Sequence, residues 1–318
     1  MSSQAVKPVA ALTRRPRNPE RPVWEEEPTL VGRVGKPVVL AVVFLAVAFP
    51  LYVVVVTSLS TTEAVTRAGG LVVVPRDLTI AAYVQLLSGG VVTRALVISA
   101  LITAVGTAFS LLITMLAAYG LSRPGSLWHR PLLFIVLLTF LFGPGIIPSY
   151  LLVNSLGLID SYGSLILPTA ISAFNLIVMR AFFMGIPGEL IDSARIDGAG
   201  EFAVLTRIVM PLSKAVVAVV GLFYAVGYWN AFFNAMLYLN DNSKWPLQLV
   251  LRTYIVQQQA LPSGAGGVTS SPALGLAPAP GLAIKMAIVV LAVIPVLLVY
   301  PFIQKHFTKG VIIGAVKG

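Results

Sequence analysis

The acidic side chains of this chain keep out of its apolar segments, and this bounds the chemistry it can do. There are twelve carboxylates: Glu20, Glu25, Glu26 and Glu27 near the start, then Glu63, Asp77, Asp160, Glu189, Asp192, Asp197, Glu201 and Asp241. Proton- and ion-coupled transporters place ionisable groups at membrane depth, where each costs several kcal/mol and so marks function. Ion-coupled secondary transport of a small polar solute is therefore the weaker alternative, kept open by sodium sites built from carbonyls and hydroxyls. Cysteine is absent and the two histidines, His129 and His306, are isolated, so neither thiolate chemistry nor a metal site is expected. The pattern G-x-x-x-x-G-K-[ST] occurs nowhere, so this chain is not expected to hydrolyse ATP by that route.

Two clusters remain. The first is the stretch 185–213, GIPGELIDSARIDGAGEFAVLTRIVMPLS. Pro187 and Gly188 open a helical pattern in which Glu189, Asp192 and Arg195 share one side and Leu190, Ile191 and Ala194 the other. Asp197-Gly198-Ala199-Gly200 breaks it, and a second helical piece runs from Glu201 towards Met210, where Pro211 is expected to stop it. Taken alone, this is an amphipathic helix that could simply join two membrane spans at the surface. The second cluster is Tyr228, Trp229, Asn230 and Asn234, with Asn175 and Asn154 as weaker members. Aromatic faces beside amides suit a sugar, which has C–H-rich faces and a hydroxyl rim. The same residues also serve as packing and helix-bonding groups in membrane spans.

The elements that must position these clusters are membrane helices. Of the 318 residues, 57% are hydrophobic and 11% charged, and the mean hydropathy is +0.91, far from a soluble balance. Apolar runs at 38–57, 95–118, 131–153, 164–184, 214–239 and 283–303 are each about the 20 residues that cross a hydrocarbon core. The fold class expected is thus an all-α integral membrane protein of about six spans, with kinks at Pro144, Pro148, Pro168 and Pro295. Residues 1–37, rich in Pro and Arg, read as a flexible tail. The Gly/Pro/Ser-rich stretch 260–281 reads as an outer loop and 304–318 as a C-terminal tail.

Orientation follows from Lys and Arg, which are retained on the cytoplasmic side. With the N-terminus inside, sixteen fall on inner segments, including Arg123, Arg130, Arg180, Arg195 and Arg207, against Arg67, Arg76, Lys244 and Arg252 outside. Both termini are therefore expected in the cytoplasm. This bias accounts for the net charge of +10 without nucleic acid.

The stretch 185–213 resembles the cytoplasmic loop of permeases in ATP-binding-cassette importers, whose pattern is E-A-A, three residues, G, nine residues, I-x-L-P. Asp192-Ser193-Ala194 stands at E-A-A, Gly198 follows after three residues, Ile208 after nine more, and Met210-Pro211 ends it. Leu78-Thr79-Ile80 with Tyr83 resembles a short segment of sugar permeases. The aromatic-Asn run 227–233 resembles a signature of sugar permeases, and the ending 300–318 resembles that of the oligosaccharide subgroup. The resemblance implies a permease subunit of a carbohydrate importer in the cell membrane. Its ATPase-coupling loop would comprise Glu189, Asp192, Ser193, Ala194, Arg195, Asp197, Gly198, Ala199 and Pro211. It further implies a second permease subunit, expected to be a different chain, an ATPase dimer that uses ATP and Mg, and an extracytoplasmic sugar-binding protein. No cofactor is implied for this chain itself.

Overall fold

The computed structural model describes residues 30–88, 90–123, 128–256 and 281–315, with side chains described from Val34 to Val299 within them. Most of the expected N-terminal tail (1–29), nearly all of the 260–281 loop and the last three residues lie outside the described residues, as does the side chain of His306. The chain divides into two units at Leu51/Tyr52. The first contains the greater part of helix α1 (Leu30–Ser58), whose side chains from Val38 to Leu51 are almost all exposed apolar groups. That surface suits lipid and not water.

The second unit starts with the end of α1, which is tied to the segments that follow. Thr57 Oγ1 accepts the Val72 backbone N–H at 2.9 Å and Ser58 Oγ bonds Tyr83 Oη at 2.7 Å. Short helices α2 (Thr62–Ala68) and α3 (Ala81–Leu87) lead to the long α4 (Val91–Ser122). Then come α5 (His129–Leu141), α6 (Ile146–Ser155), α7 (Gly163–Ile166), α8 (Ala173–Met184), α9 (Gly188–Ile196), α10 (Glu201–Val204), α11 (Met210–Leu212), α12 (Lys214–Trp229), α13 (Phe232–Tyr238), α14 (Leu247–Leu251) and α15 (Gly281–Ala315). Among the described residues there is no strand, only one isolated bridge between Ser60 and Leu78.

Three helices are long and apolar enough to cross a membrane: α1 from Val34, α4, and α15 from Gly281 to Val299. Three further candidates are bent pairs, α5 with α6 at 119°, α7 with α8 at 50°, and α10–α11 with α12 at 86°. The expected single kinked span 131–153 is therefore two helices. Pro144 lacks an N–H and Gly145 takes φ +83°, a left-handed conformation open to glycine, so the helical ladder cannot run through. The span expected over 214–239 also breaks, at Asn230. The Asn230 backbone N–H and side-chain amide both donate to the Val226 carbonyl, at 3.1 and 3.0 Å, and α12 ends at Trp229. Pro211 does not stop the helix that starts at Glu201. A π-helical stretch, Leu205–Val209, precedes it and the chain continues to Leu212, turning sharply only at Ser213. At the other end of the chain the last helix runs on to Ala315, well into the expected tail.

Two buried clusters hold the second unit together. One gathers Ile98, Ile102, Met115, Tyr119, Met179, Phe183, Ile191, Val204, Val209 and Tyr224, from α4, α8, α9 and the α10–α12 region. The other packs Ala82, Leu86, Val92, Trp229, Leu247, Ile284 and Ile288, joining α3, α4, α12, α14 and α15.

Candidate functional site

At one end of the bundle, α9 carries nine residues between Pro187 and Asp197. Pro187 suits the residue just before a helix, since its fixed φ needs no donor there. Gly198 follows at φ +82°, where a Cβ would be strained but would meet no atom within 4 Å. Ile191 is buried and Ala194 and Ala199 are half-buried against the first cluster, while Glu189, Asp192, Ser193, Arg195 and Asp197 are exposed. Leu190, expected on the buried side, is 45% exposed. Two large apolar residues also stand out from this loop, Ile196 at 87% and Phe202 at 75% exposure.

Arg195 lies 3.9 Å from Asp192, a contact between exposed groups. Its main partner is Glu201, whose Oε1 accepts from Nη2 at 2.6 Å and from Nε at 3.2 Å. Glu201 Oε2 accepts the Tyr119 hydroxyl of α4 at 2.5 Å. The Tyr119 hydrogen bond first, then Arg195, holds the Glu201 carboxyl below its usual range, and Glu201 in turn raises Arg195. Sequence reading missed Tyr119 and Glu201 as a pair, because 82 residues separate them. The Arg123 guanidinium lies over the Tyr119 ring at 4.4 Å.

A second feature is a cavity of about 360 Å³ among α7–α8 and α12–α13. It is lined by Thr169, Ser172, Phe174, Asn175, Phe223, Tyr224, Gly227, Tyr228, Ala231 and Asn234. Of the candidates from sequence, Asn175, Tyr228 and Asn234 meet there, while Trp229 and Asn230 do not. Trp229 is 6% exposed in the second cluster and donates its indole N–H to the Ala292 carbonyl at 2.9 Å. Asn230 spends its amide on Val226, and Asn154 is exposed outside the lining.

The two tyrosines lining the cavity are fixed by hydrogen bonds to α4. Tyr228 Oη bonds Ser110 Oγ at 2.7 Å, and Tyr224 Oη bonds Thr114 Oγ1 at 2.7 Å while accepting the Ser172 N–H at 2.9 Å. Their rings are thus presented to the cavity and their hydroxyls are occupied. A Cβ at Gly106 would come within 2.9 Å of the Tyr228 ring, so α4 approaches α12 closely only because that position has no side chain. Asn175 is 4% exposed. No charged side chain lines this cavity, and none of α4, α8 and α12 carries a carboxylate.

Away from both features, Asp160 joins two loops. Its Oδ2 takes Lys244 Nζ at 2.8 Å, and its Oδ1 takes the backbone N–H of Asn240 at 3.2 Å and of Asp241 at 3.0 Å. Lys244 first, then the Asp241 backbone, lowers the Asp160 carboxyl below its ordinary range. Among the described residues no group of three or more His, Asp or Glu side chains could hold a metal.

Residues 110–313 match the family described as binding-protein-dependent transport system inner membrane component. The polygalacturonan/rhamnogalacturonan transport system permease protein YtcP of Bacillus subtilis (strain 168) is 45% identical over 269 residues, 85% of this chain and 92% of that protein. LplC of the same organism is 42% identical over 257 residues, 81% of this chain and 85% of that protein. A bacterial ABC transporter involved in the import of the acidic polysaccharide alginate superposes with a TM-score of 0.79 at 32% identity, covering 86% of this chain and 96% of the matched chain. With apolar helices long enough to cross a bilayer, a segment joining α8 to α12 that lies inside the matched region, and relatives of nearly its own length, this chain is a multi-pass membrane permease belonging to the family of inner membrane components of binding-protein-dependent transport systems.

Proposed function

We propose that this chain forms one half of the translocation path of an ATP-driven importer of oligosaccharides and couples to an ATPase through α9 and the Gly198 turn. The observation that carries the coupling role is the two-sided build of α9. Ile191 and Ala194 anchor it in the bundle core, while Asp192, Ile196 and Phe202 are exposed to a partner. A short helix fixed on one side and exposed on the other is suited to pass on a rigid-body displacement. Glu189, Ser193, Arg195, Asp197 and Ala199 complete the surface, and Gly198 permits the turn that returns the chain to the bundle. Pro211 belongs to the far end of the same segment and shapes it through the π-helical stretch before it.

The carbohydrate reading is supported by the relatives, one of which transports polygalacturonan and rhamnogalacturonan and another arabinooligosaccharides. The cavity agrees with it, offering aromatic rings beside the amides of Asn175 and Asn234. A second permease subunit, a different chain, would complete the path, and an extracytoplasmic binding protein would deliver the sugar. ATP and Mg would be taken by the partner ATPase, because no phosphate-binding loop occurs in this chain. With α9 inside, both termini lie in the cytoplasm. In the cycle, closure of the ATPase dimer moves α9 and the path changes its side of access.

The test is to express the chain with its candidate permease and ATPase partners and purify the assembly. Gly198→Val strains the turn by roughly 1–2 kcal/mol, and Asp192→Lys reverses a charge on the docking face. Either variant is expected to reduce ATPase co-purification or sugar-stimulated hydrolysis while the protein stays folded in the membrane. Wild-type behaviour from both would remove α9 from the docking surface.

A further inference from the structure

Movement of α9 must reach the cavity, and a side chain outside the docking surface stands between them. Glu201 opens α10 and takes two hydrogen bonds from Arg195 on α9 and one from Tyr119 in the last turn of α4. Arg195 lacks a comparable hold on its own helix, since Asp192 is 3.9 Å away and exposed. In the Arg195–Glu201 pair Nε and Nη2 both donate to the single oxygen Oε1, a charge-assisted contact at hydrogen-bond distance. Tyr119 is itself held, its ring lying under the Arg123 guanidinium. From Tyr119 the unbroken α4 rises about 7.5 Å to Thr114 and about 13.5 Å to Ser110, at about 1.5 Å per residue. Those two hydroxyls bond Tyr224 and Tyr228, whose rings line the cavity.

We infer that Tyr119 is a positioning residue of the transport cycle: through Glu201 it transmits displacement of α9 into α4, and α4 moves the cavity wall through Thr114–Tyr224 and Ser110–Tyr228. The inference rests on the proposed docking of α9. Apolar packing of Ile191 and Val204 also joins α9 and α10 to the bundle. The hydrogen-bonded link is separable from that packing, because Tyr119→Phe deletes one hydroxyl and keeps the ring.

The experiment reconstitutes the full assembly, with partner permease, ATPase and sugar-binding protein, in proteoliposomes, and measures sugar imported per ATP hydrolysed. Tyr119→Phe is expected to keep ATPase co-purification and basal hydrolysis and to lower the sugar-to-ATP ratio by about tenfold, the factor set by one hydrogen bond to a charged group. Glu201→Gln should lower the same ratio, and the double variant should be no worse than Glu201→Gln alone, since both remove one link. A wild-type ratio for Tyr119→Phe overturns the inference, as does additivity in the double variant. Loss of ATPase binding in Tyr119→Phe also overturns it, because the contact would then shape the dock and not transmit its motion. Failure of the docking itself is distinguishable: the wild-type chain would not retain the ATPase, whatever stands at position 119.

Discussion

Asn175 and Trp229 each bring a side-chain N–H donor to the helix bundle, yet their surroundings assign them to different tasks. The Trp229 indole N–H is spent on Ala292 and its ring is packed between α12, α14 and α15. Trp229→Phe should therefore cost about 1 kcal/mol of stability, seen as a lower melting temperature of the purified assembly, with sugar preference unchanged. Asn175 is almost fully covered but sits in the cavity wall. Asn175→Ala, alone or with Asn234→Ala, should lower sugar uptake by about threefold to tenfold and leave ATPase co-purification intact. Uptake at the wild-type rate in the double variant would take the cavity out of the sugar path. The sequence marked both residues as candidates because Trp, Tyr and Asn at membrane depth look alike until their partners are known.

At the level of elements, breaks matter more than helix lengths. The turns at Gly143-Pro144-Gly145 and at Ser213 redirect the chain, and α12 ends at Asn230, where uninterrupted or differently ended helices were expected. Two other loops are joined by the Asp160 clamp, which brings residues 160 and 240–244 together. Asp160 titrates below its ordinary 3.8, so its contribution is full above that value and is lost as pH falls through its lowered one. Lys244 titrates above its ordinary 10.5, so its contribution is full below that value and is lost as pH rises through its raised one. Protection of the Asn240 and Asp241 amides, taken as the exchange rate relative to the intrinsic rate at the same pH, should therefore be greatest between these limits and fall on the acid side below 3.8. Asp160→Asn should flatten that acid limb, and an unchanged profile in this variant would assign the protection to other contacts.

For the molecule as a whole, the surface of α1, α5 and α6 is apolar and exposed, as in a protein whose solvent is lipid. The charge bias predicts which side each loop faces, and the absence of cysteine makes that directly measurable. Ser193→Cys on α9 should react with a membrane-impermeant thiol reagent only from the cytoplasmic side, and Ser243→Cys beside the Asp160 clamp only from outside. Reaction of both from one side would overturn the six-span topology with both ends inside.

Hydropathy and charge along the chain sufficed for the membrane class, the apolar runs and the expected orientation, because the bilayer acts on each segment by its own length and composition. The spacing from Asp192 to Pro211 was likewise legible, since a helix, a glycine turn and a second helix are local structures set by near neighbours. What only the tertiary structure decided is which polar groups meet. Tyr119 joins Glu201 across 82 residues and Ser110 joins Tyr228 across 118. Trp229 turns into a core that Asn175 does not share. Such pairings depend on how helices distant in sequence pack, and no local periodicity records them.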